Sequence, residues 1–345
     1  MGRVILNRRS ALGLGTAVAA GGVLAPVVAS TTASAAPAAA PTTAQEATRH
    51  IARVYRRETG RAQGVWSSLI SVAGASGEPE TAVEERADDV VDAQSVNKIA
   101  VATAVLDKVD RGLLTLDQRV DVTADIVIQD TDGIFGLDGA YPSSVTLGHA
   151  MAALLTVSDN TAVRLCGLVC PALELNEILR AKGFVHTQVV PVSNPNRFFL
   201  GTTTPRETHT LLQGLVSGTM LSASSTGYLL TAIRSLTAFT DGMRLKLRSP
   251  ERLRVATKAG WFNSDRHEAG VVFDESGRAS ATYAVFATGP FAGDAAVNDE
   301  DFGATHPALR ARQTLGRELF DAVASVTPGG ARVQATPRYR PYNGG

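Results

Sequence analysis

The order of hydrophobic patterns along the chain is the sequence feature that most restricts its fold. Apolar residues spaced three and four apart predict a helix over 42–57, which Gly60 is expected to end. The loosely alternating stretch 64–74 predicts a strand, and 81–91 predicts a second, weaker one. Turn-forming residues lie between the two strands. The folded part of the chain therefore begins with a helix followed by two strands.

Helical patterns dominate the middle of the chain. Residues 95–111 carry apolar side chains at helical spacing, and Thr146 is a candidate N-cap for a helix over 147–155. The stretch 184–201 is rich in proline and asparagine and predicts a long loop. Further helices are predicted after Asp159, from Pro171 to Gly183, after Pro205 and over 226–236.

The last third of the chain returns to strand patterns. Residues 252–260, 267–274 and 280–289 are strand candidates separated by turn-forming residues, and a final helix is predicted over 307–326. The early and late strands can join in one antiparallel sheet. The sequence therefore predicts an α/β fold of the α+β type, with a five-stranded antiparallel sheet, the terminal helices on one face and a separate helical lobe.

The first forty residues differ in character from the rest. Arg8 and Arg9 precede an apolar stretch rich in alanine and glycine, and residues 33–35 offer an A-x-A cleavage site. This order is typical of a twin-arginine export signal, cleaved near Ala35, and predicts a secreted or extracytoplasmic protein. An alanine-rich leader on a cytoplasmic protein is the alternative. Glycines and Pro26 interrupt the apolar run, so no stable membrane span is expected after signal removal.

Composition excludes several classes of function. Lys and Arg total 33, as do Asp and Glu, so the formal net charge of +0 gives no nucleic-acid-binding footprint. The six histidines form neither an H-x-H nor an H-E-x-x-H pattern, which disfavours a zinc hydrolase. Cys166 and Cys170 have a spacing poorly suited to a disulfide and are expected to be free thiols. The sequence predicts no metal and no cofactor.

Three short elements carry the candidate chemistry: Ser95-x-x-Lys98, Ser158-Asp159-Asn160 and Lys258-Ala259-Gly260. A serine and a lysine one helical turn apart lie on the same face of a helix. Serine is a poor nucleophile until a base removes its proton, and a desolvated lysine beside a second cation can serve as that base. Serine is also a common helix cap, which is the structural alternative for Ser95.

In this order the elements resemble the S-x-x-K, S-D-N and K-T-G motifs of class A β-lactamases and penicillin-binding proteins. Residues 202–205 are similar to the turn that closes the omega loop of that family. The resemblance covers nearly all of the mature chain and implies a class A β-lactamase-like catalytic domain over 41–327. Its α/β lobe would comprise 41–94 and 240–327, and its helical lobe 95–239. Residues 328–345 are expected to form a disordered tail.

The resemblance also implies a role for each site residue. Ser95 would be the nucleophile and Lys98 its base, with Lys258 nearby. Ser158 would pass a proton to the leaving nitrogen. The remaining roles concern substrate binding: Asn160 would hold the amide side chain of the substrate, Lys258-Ala259-Gly260-Trp261 would form an edge strand that pairs with it, and the N–H groups of Ser95 and Trp261 would form the oxyanion hole.

The sequence departs from the family pattern at two positions. Where class A β-lactamases have a loop Glu that activates the deacylating water, the spacing leads to Asn194, and residues 185–206 contain no Asp or Glu. An amide can orient water but cannot take its proton. Ala259 replaces the usual Thr or Ser, whose hydroxyl helps to bind the substrate carboxylate. Arg266 is a candidate replacement for that contact, with a solvated turn as the alternative.

The leading hypothesis is an exported serine hydrolase of the β-lactamase type. It would form an acyl-enzyme on Ser95 with a small β-lactam or peptide-like amide or ester, act as a monomer and contribute to antibiotic resistance. One alternative is a D,D-peptidase, or a biosynthetic or detoxifying hydrolase with a different substrate. Another is a penicillin-binding sensor that stays acylated, which the missing loop Glu favours. No nucleic-acid partner is expected.

Overall fold

The computed structural model describes residues 40–129, 133–137 and 139–326, so the predicted export signal and C-terminal tail lie outside the described residues. The helices are α1 (Ala44–Ala62), α2 (Lys98–Asp110), α3 (Leu147–Thr156), α4 (Asn160–Val169), α5 (Ala172–Ala181), α6 (Pro205–Val216), α7 (Ala223–Arg234), α8 (Ser249–Arg252), α9 (Ala295–Glu300) and α10 (Pro307–Ala324). The strands are β1 (Gln63–Ala73), β2 (Pro79–Glu85), β3 (Val91–Asp92), β4 (Arg119–Val122), β5 (Ser143–Thr146), β6 (Gln188–Pro191), β7 (Phe198–Thr203), β8 (Val255–Phe262), β9 (Asp265–Phe273) and β10 (Ala279–Phe291).

A five-stranded antiparallel sheet joins the two ends of the described chain. Its strand order is β2-β1-β10-β9-β8, so the early strands do pair with the late ones and β8 is an edge strand. Both faces of the sheet are covered. Val285 and Phe286, neighbours on β10, belong to different core clusters because side chains alternate across a strand. The predicted α+β arrangement is confirmed.

The terminal helices pack together on one face of this sheet. Ile51 and Tyr55 of α1 share a buried cluster with Leu315 and Leu319 of α10. Thr43 caps α1, because its hydroxyl accepts a hydrogen bond from the backbone N–H of Glu46. The prediction that Gly60 ends this helix is wrong. An exposed glycine within a helix costs only about 1 kcal/mol, and the apolar face of α1 continues to stabilise the helix beyond it.

Helix α2 lies at the centre of the helical lobe. Most of its residues are buried, and Val101, Val105 and Leu106 are fully enclosed. Helices α3, α4, α5 and α7 contribute to the same apolar cluster. The Thr146 hydroxyl accepts from the backbone N–H of His149, so the predicted N-cap of α3 is confirmed. Among the described helices, none combines the length and the apolar character needed to cross a bilayer.

Two predictions about strands are wrong. The stretch predicted as a long loop contains β6 and β7, which join β3 in a three-stranded sheet of order β3-β7-β6. The second predicted strand is divided, because β2 ends at Glu85 and the following β3 belongs to this smaller sheet. The proline and asparagine residues that suggested a loop lie at the end of β6 and in the turn before β7, where they disturb no ladder.

Candidate active site

A tight turn presents Ser95 at the start of the buried helix α2. Residues Gln94–Asn97 form a 3-10 turn that leads directly into the α-helix at Lys98. Gln94 has a φ of 48°, which is a left-handed conformation that residues other than glycine rarely adopt. Ser95 is half-buried, whereas Val96 and Lys98 are buried. The turn thus leaves the Ser95 side chain accessible while it encloses the lysine one turn later.

Ser158 lies in the short connection between α3 and α4. Its φ of 60° is left-handed, and the next residue, Asp159, caps α4 by accepting from the backbone N–H of Ala162 at 2.9 Å. The Asp159 backbone N–H donates to the carbonyl oxygen of Ala153 at 3.1 Å. These bonds hold Ser158 in an unfavourable backbone conformation that a glycine would adopt more easily.

The Ser158 hydroxyl joins two buried lysines. Its Oγ lies 3.0 Å from Lys98 Nζ and 2.9 Å from Lys258 Nζ. Lys98 Nζ also donates to the Ser158 carbonyl oxygen and, at 2.8 Å, to Asn160 Oδ1. Both ammonium groups lie on buried side chains. The first, second and third sequence elements therefore meet at the Ser158 hydroxyl, with Lys98 on one side of it and Lys258 on the other.

The edge strand β8 presents backbone groups beside Ser95. The Phe273 amide donates to the carbonyl oxygen of Arg254, just before β8, at 2.7 Å. Because antiparallel strands bond through alternate residues, the N–H and C=O groups of Ala259 and Trp261 point away from β9. Consistent with this, Lys258 Nζ donates to the Ala259 carbonyl oxygen at 2.7 Å. A free ladder edge with these backbone groups can pair with an extended ligand.

Gly260 allows β8 to approach the turn that carries Ser95. A Cβ atom added at Gly260 would lie 2.6 Å from the backbone nitrogen of Ser95 and 2.9 Å from that of Val96. Atoms at such distances overlap, so any other residue at 260 would push the strand and the turn apart. The glycine of the third element is therefore required by the close approach of two backbones.

Asn97 ties the Ser95 turn to strand β7. Its side-chain Nδ2 donates to the carbonyl oxygens of Leu200 and Thr202, and the Ala93 backbone N–H donates to the Gly201 carbonyl at 2.8 Å. The sequence shows a polar residue within the first element but does not indicate its partner. The partner lies in a stretch predicted as a loop, so sequence reasoning missed this contact.

Asp265 provides a second support for the turn. Its carboxylate accepts from Gln94 Nε2 at 2.8 Å and from the Thr288 hydroxyl at 2.7 Å. The backbone N–H of Ala287 donates to His267 Nδ1, and the other ring nitrogen, Nε2, lies 3.7 Å from the Asp265 carboxylate. Burial opposes ionisation of Asp265, but the nearby His267 imidazole and the hydrogen bonds from Thr288 and Gln94 hold its pKa below the ordinary value.

Not every residue singled out in the sequence joins this cluster. Ala259 is buried within β8. Asn194 is exposed in the turn after β6, and its side-chain oxygen accepts from the backbone N–H of Asn196 at 3.0 Å. Arg266 is fully buried, donates to the Asn298 carbonyl at 2.8 Å and stacks over the ring of Phe302. Its guanidinium thus stabilises the segment around α9.

The remaining candidate nucleophiles and ligands have structural roles. Cys166 and Cys170 are free and buried, as predicted, and burial raises the pKa of each thiol to about 12. Thiols with such pKa values are unreactive at neutral pH. Within residues 40–129, 133–137 and 139–326, no three His, Cys, Asp or Glu side chains form a group suited to hold a metal ion.

A cavity of about 790 Å³ opens beside the serine turn. Gln94, which precedes Ser95, and Asn160, which contacts Lys98, both line it. The other walls come from α4, from the hairpin of β6 and β7, and from Phe262 at the end of β8. Cavities of this size accommodate small organic ligands. The cluster of Ser158, Lys98 and Lys258, with Ser95 in the turn just before Lys98, therefore has an adjoining space for a substrate.

Comparisons with known proteins identify the family and the fold of this chain. A sequence model described as the Beta-lactamase enzyme family matches residues 46–323. A β-lactamase structure from Xanthomonas campestris pv. campestris is similar at 18% identity, with a TM-score of 0.65 over 81% of this chain and 99% of the other. One from Chitinophaga pinensis shows 20% identity and a TM-score of 0.65 over 79% and 98%. A structure titled PBP-A shows 21% identity and a TM-score of 0.61 over 82% and 98%. At these sequence identities the three structures show that the fold is similar. A comparison with curated proteins found no match.

Proposed function

The chain belongs to the Beta-lactamase enzyme family and is a serine hydrolase, and from that premise we propose that Ser95 attacks the carbonyl carbon of an amide or ester. The acyl group would transfer to Ser95 Oγ while the amine or alcohol leaves. β-Lactams are the expected test substrates, because ring opening retains the leaving group within the acyl-enzyme. The proposal is independent of any metal.

The single observation that carries the proposal is the position of Ser158 Oγ between the two lysines, 3.0 Å from Lys98 Nζ and 2.9 Å from Lys258 Nζ. A hydroxyl has one proton to donate and two lone pairs that accept. It can therefore accept a proton from one neighbour as it donates its own to another. Such a relay needs a protonated group on one side of the hydroxyl and the leaving nitrogen on the other, and either lysine is close enough to be the proton donor.

The proton of Ser95 would go to Lys98 as the nucleophile attacks. Burial and a neighbouring cation both favour the neutral amine that this step requires. The leaving nitrogen would then receive a proton through Ser158. Lys98 keeps contacts to Asn160 and to the Ser158 carbonyl, which would hold the amine in position during the transfer. Asn160 would also bind the amide of the acyl group.

Two backbone N–H groups would stabilise the oxyanion that forms on the attacked carbonyl. The Ser95 N–H lies at the start of α2, and the Trp261 N–H faces the free side of β8. Gly260 keeps these two segments close together. An oxyanion-hole donor typically contributes on the order of 100- to 1,000-fold in rate, so their spacing is essential to the proposed chemistry.

Hydrolysis of the acyl-enzyme is proposed to be slow. Residues 185–206 contain no Asp or Glu, and the Asn194 side chain is exposed and bonded within its own turn. No carboxylate from this hairpin is therefore available to deprotonate a water molecule near Ser95. This favours a long-lived acyl-enzyme, as in a penicillin-binding sensor or an acyl-transfer enzyme, over rapid β-lactam hydrolysis.

Intact-protein mass spectrometry of the mature chain with benzylpenicillin, followed over time, tests the proposal. The expected result is a mass increase of one penicillin that persists for many minutes. Ser95→Ala should show no adduct, whereas Ser76→Ala, an exposed serine on the β1–β2 turn, should behave like the wild type. An adduct that survives in Ser95→Ala would contradict the proposal. Rapid product release would retain Ser95 as nucleophile but contradict slow deacylation.

We also propose that the protein is exported by the twin-arginine pathway and acts as a monomer. Outside the cytoplasm it would meet β-lactams, and the reaction with them would contribute to antibiotic resistance. The support is the order of Arg8-Arg9, the apolar stretch and the A-x-A site in the sequence. Cell fractionation of the wild type and of Arg8→Lys/Arg9→Lys tests the export step. Equal amounts of processed protein outside the cytoplasm for both would contradict it. Size-exclusion chromatography with light scattering tests the monomer.

A further inference from the structure

The cavity adjoins the proposed site at two residues. Gln94 and Asn160 line both, and Asn160 is followed one turn later on α4 by Val163, which lines the cavity wall. A group attached to the acyl carbon at Ser95 can therefore extend along α4 into this space. The residues that line the cavity determine which acyl groups it can bind.

Apolar side chains form most of the wall. Val163 belongs to α4, Val190 to β6, Phe198, Phe199 and Leu200 to β7, and Phe262 to the end of β8. Phe199 is 69% exposed and Phe262 60% exposed. Large apolar side chains that remain open to water within a cavity gain free energy when an apolar ligand covers them.

The two arginines of the wall are directed to the protein itself, and two carboxylates, Asp92 and Asp125, also line the cavity. Arg164 donates to the Ile126 carbonyl at 3.1 Å, and Arg197 donates to the Asp125 carbonyl at 3.2 Å. These bonds place both guanidinium groups against the segment around residues 125–126. The hairpin and α4 thus supply the apolar contacts, and the arginines stabilise one side of the cavity.

The third sequence element indicates where substrate recognition is weak. Ala259 has no hydroxyl to bind a substrate carboxylate, and Arg266 is buried against the Asn298 carbonyl and the Phe302 ring. Recognition must then depend on other parts of the substrate. The apolar cavity offers one such contact surface close to Ser95.

We infer that this cavity binds a large apolar acyl group, a hydrocarbon chain or an aromatic ring system, and that the protein selects its amide or ester substrates by that group. The inference rests on the proposed acylation of Ser95. Each methylene buried in the cavity is expected to raise the second-order acylation rate about threefold to fourfold, because burial of one methylene group stabilises the complex and the transition state alike.

A series of p-nitrophenyl esters tests the inference. Acetate, butyrate, hexanoate and octanoate are compared by the burst of nitrophenolate and by the mass of the acylated protein. Octanoate is expected to acylate Ser95 at least 100-fold faster than acetate. Val190→Asp places a charge on the exposed side of the cavity wall, so the octanoate-to-acetate ratio of acylation rates should fall at least tenfold. Val185→Asp, an exposed valine before β6, is the matched control and should keep the wild-type ratio.

The outcomes separate this inference from the proposed function. Acylation of Ser95 at equal rates by all four esters would overturn the inference and leave the nucleophile intact. If no ester acylates Ser95, the proposed function fails, and Nile red fluorescence with Ser95→Ala then tests the cavity directly. Binding that Val190→Asp abolishes and Val185→Asp retains would support an apolar ligand site. Absence of binding would overturn it.

Discussion

The side-chain amide of Asn97 donates a hydrogen bond to the carbonyl oxygen of Leu200 at 2.7 Å. A second bond from the same amide reaches the Thr202 carbonyl at 2.9 Å. Asn97 belongs to the turn that carries Ser95, and Leu200 belongs to a strand that lines the adjoining cavity. The buried Asn97 amide thus fixes the position of the turn that carries Ser95 relative to the strand that lines the cavity.

Replacing Asn97 by Ala should loosen this relation. Two carbonyls would lose a buried donor, so we expect the free energy of unfolding to fall by about 1–3 kcal/mol. Acylation by benzylpenicillin should also slow, because the Ser95 turn is less constrained. Urea denaturation and the mass-spectrometric time course measure the two effects. Asn196→Ala, in the β6–β7 turn, is the control for loss of an asparagine, and equal behaviour of the two variants would contradict the assigned role.

Gly260→Ala should impair acylation by disturbing the approach of β8 to the serine turn. The new Cβ would lie 2.6 Å from the Ser95 nitrogen, so the proposed oxyanion hole must widen. We expect acylation to slow on the order of 100-fold. Gly60→Ala is the matched control, since a Cβ at this exposed helical position meets no atom within 4 Å. It should stabilise the protein by about 1 kcal/mol with unchanged acylation. Wild-type acylation by Gly260→Ala would show that the close approach is dispensable.

Ser158→Ala should slow acylation without preventing the adduct on Ser95. Loss of a positioned proton donor typically costs about 100- to 10,000-fold in rate. The acylation rate is measured by stopped-flow absorbance of a chromogenic cephalosporin, and mass spectrometry identifies the acylated residue. Thermal unfolding verifies the fold, and Ser217→Ala, at the end of α6, controls for removal of a hydroxyl. An unchanged rate in Ser158→Ala would exclude the relay through this hydroxyl.

Because His209 is buried, we expect the protein to lose stability in mild acid. Burial lowers its pKa to about 4 from the ordinary 6.5, and its Nε2 lies 2.8 Å from the Ser71 hydroxyl. Between pH 6.5 and 4 only the unfolded chain binds this proton, so the free energy of unfolding should fall as the pH falls, by up to about 3 kcal/mol. Above pH 6.5 the histidine is neutral in both states and has no such effect.

Chemical denaturation at several pH values tests this effect. His209→Gln should show a smaller slope between pH 6.5 and 4, with a remainder from His306, whose pKa burial also lowers to about 4. His149→Gln replaces an exposed histidine and should retain the full slope. If His209→Gln and the wild type lose stability in parallel, the buried imidazole is not responsible.

Much of the fold could be predicted from local patterns. Apolar periodicity identified four strands of the main sheet and part of the fifth, together with most of the helices between them, and Thr146 identified the start of α3. The hairpin of β6 and β7 was missed because Pro191 and Asn194 are turn formers. Its partner strand β3 lies about 100 residues earlier in the chain, so no local pattern shows the pairing.

The site was predictable to the extent that its elements have fixed spacing. Ser95 and Lys98 are one turn apart, and their proximity follows from helix geometry. The supporting contacts were not predictable. Gln94 and Asp265 are separated by 171 positions, and their bond depends on the completed sheet. The left-handed backbone of Ser158 likewise results from bonds made by its neighbours, which residue type alone does not reveal.

The hairpin of β6 and β7 affects how the substrate range of this protein can evolve. Loops acquire new specificities readily through insertions and deletions. In β7, by contrast, inserting one residue would exchange the faces of every side chain beyond it and turn Phe199 or Leu200 the other way. Changes of chain length are therefore expected to disrupt the cavity wall here. Diversification among descendants should proceed by substitution at single wall positions, which makes Val190 and Phe199 the places to randomise in a library for altered acyl preference.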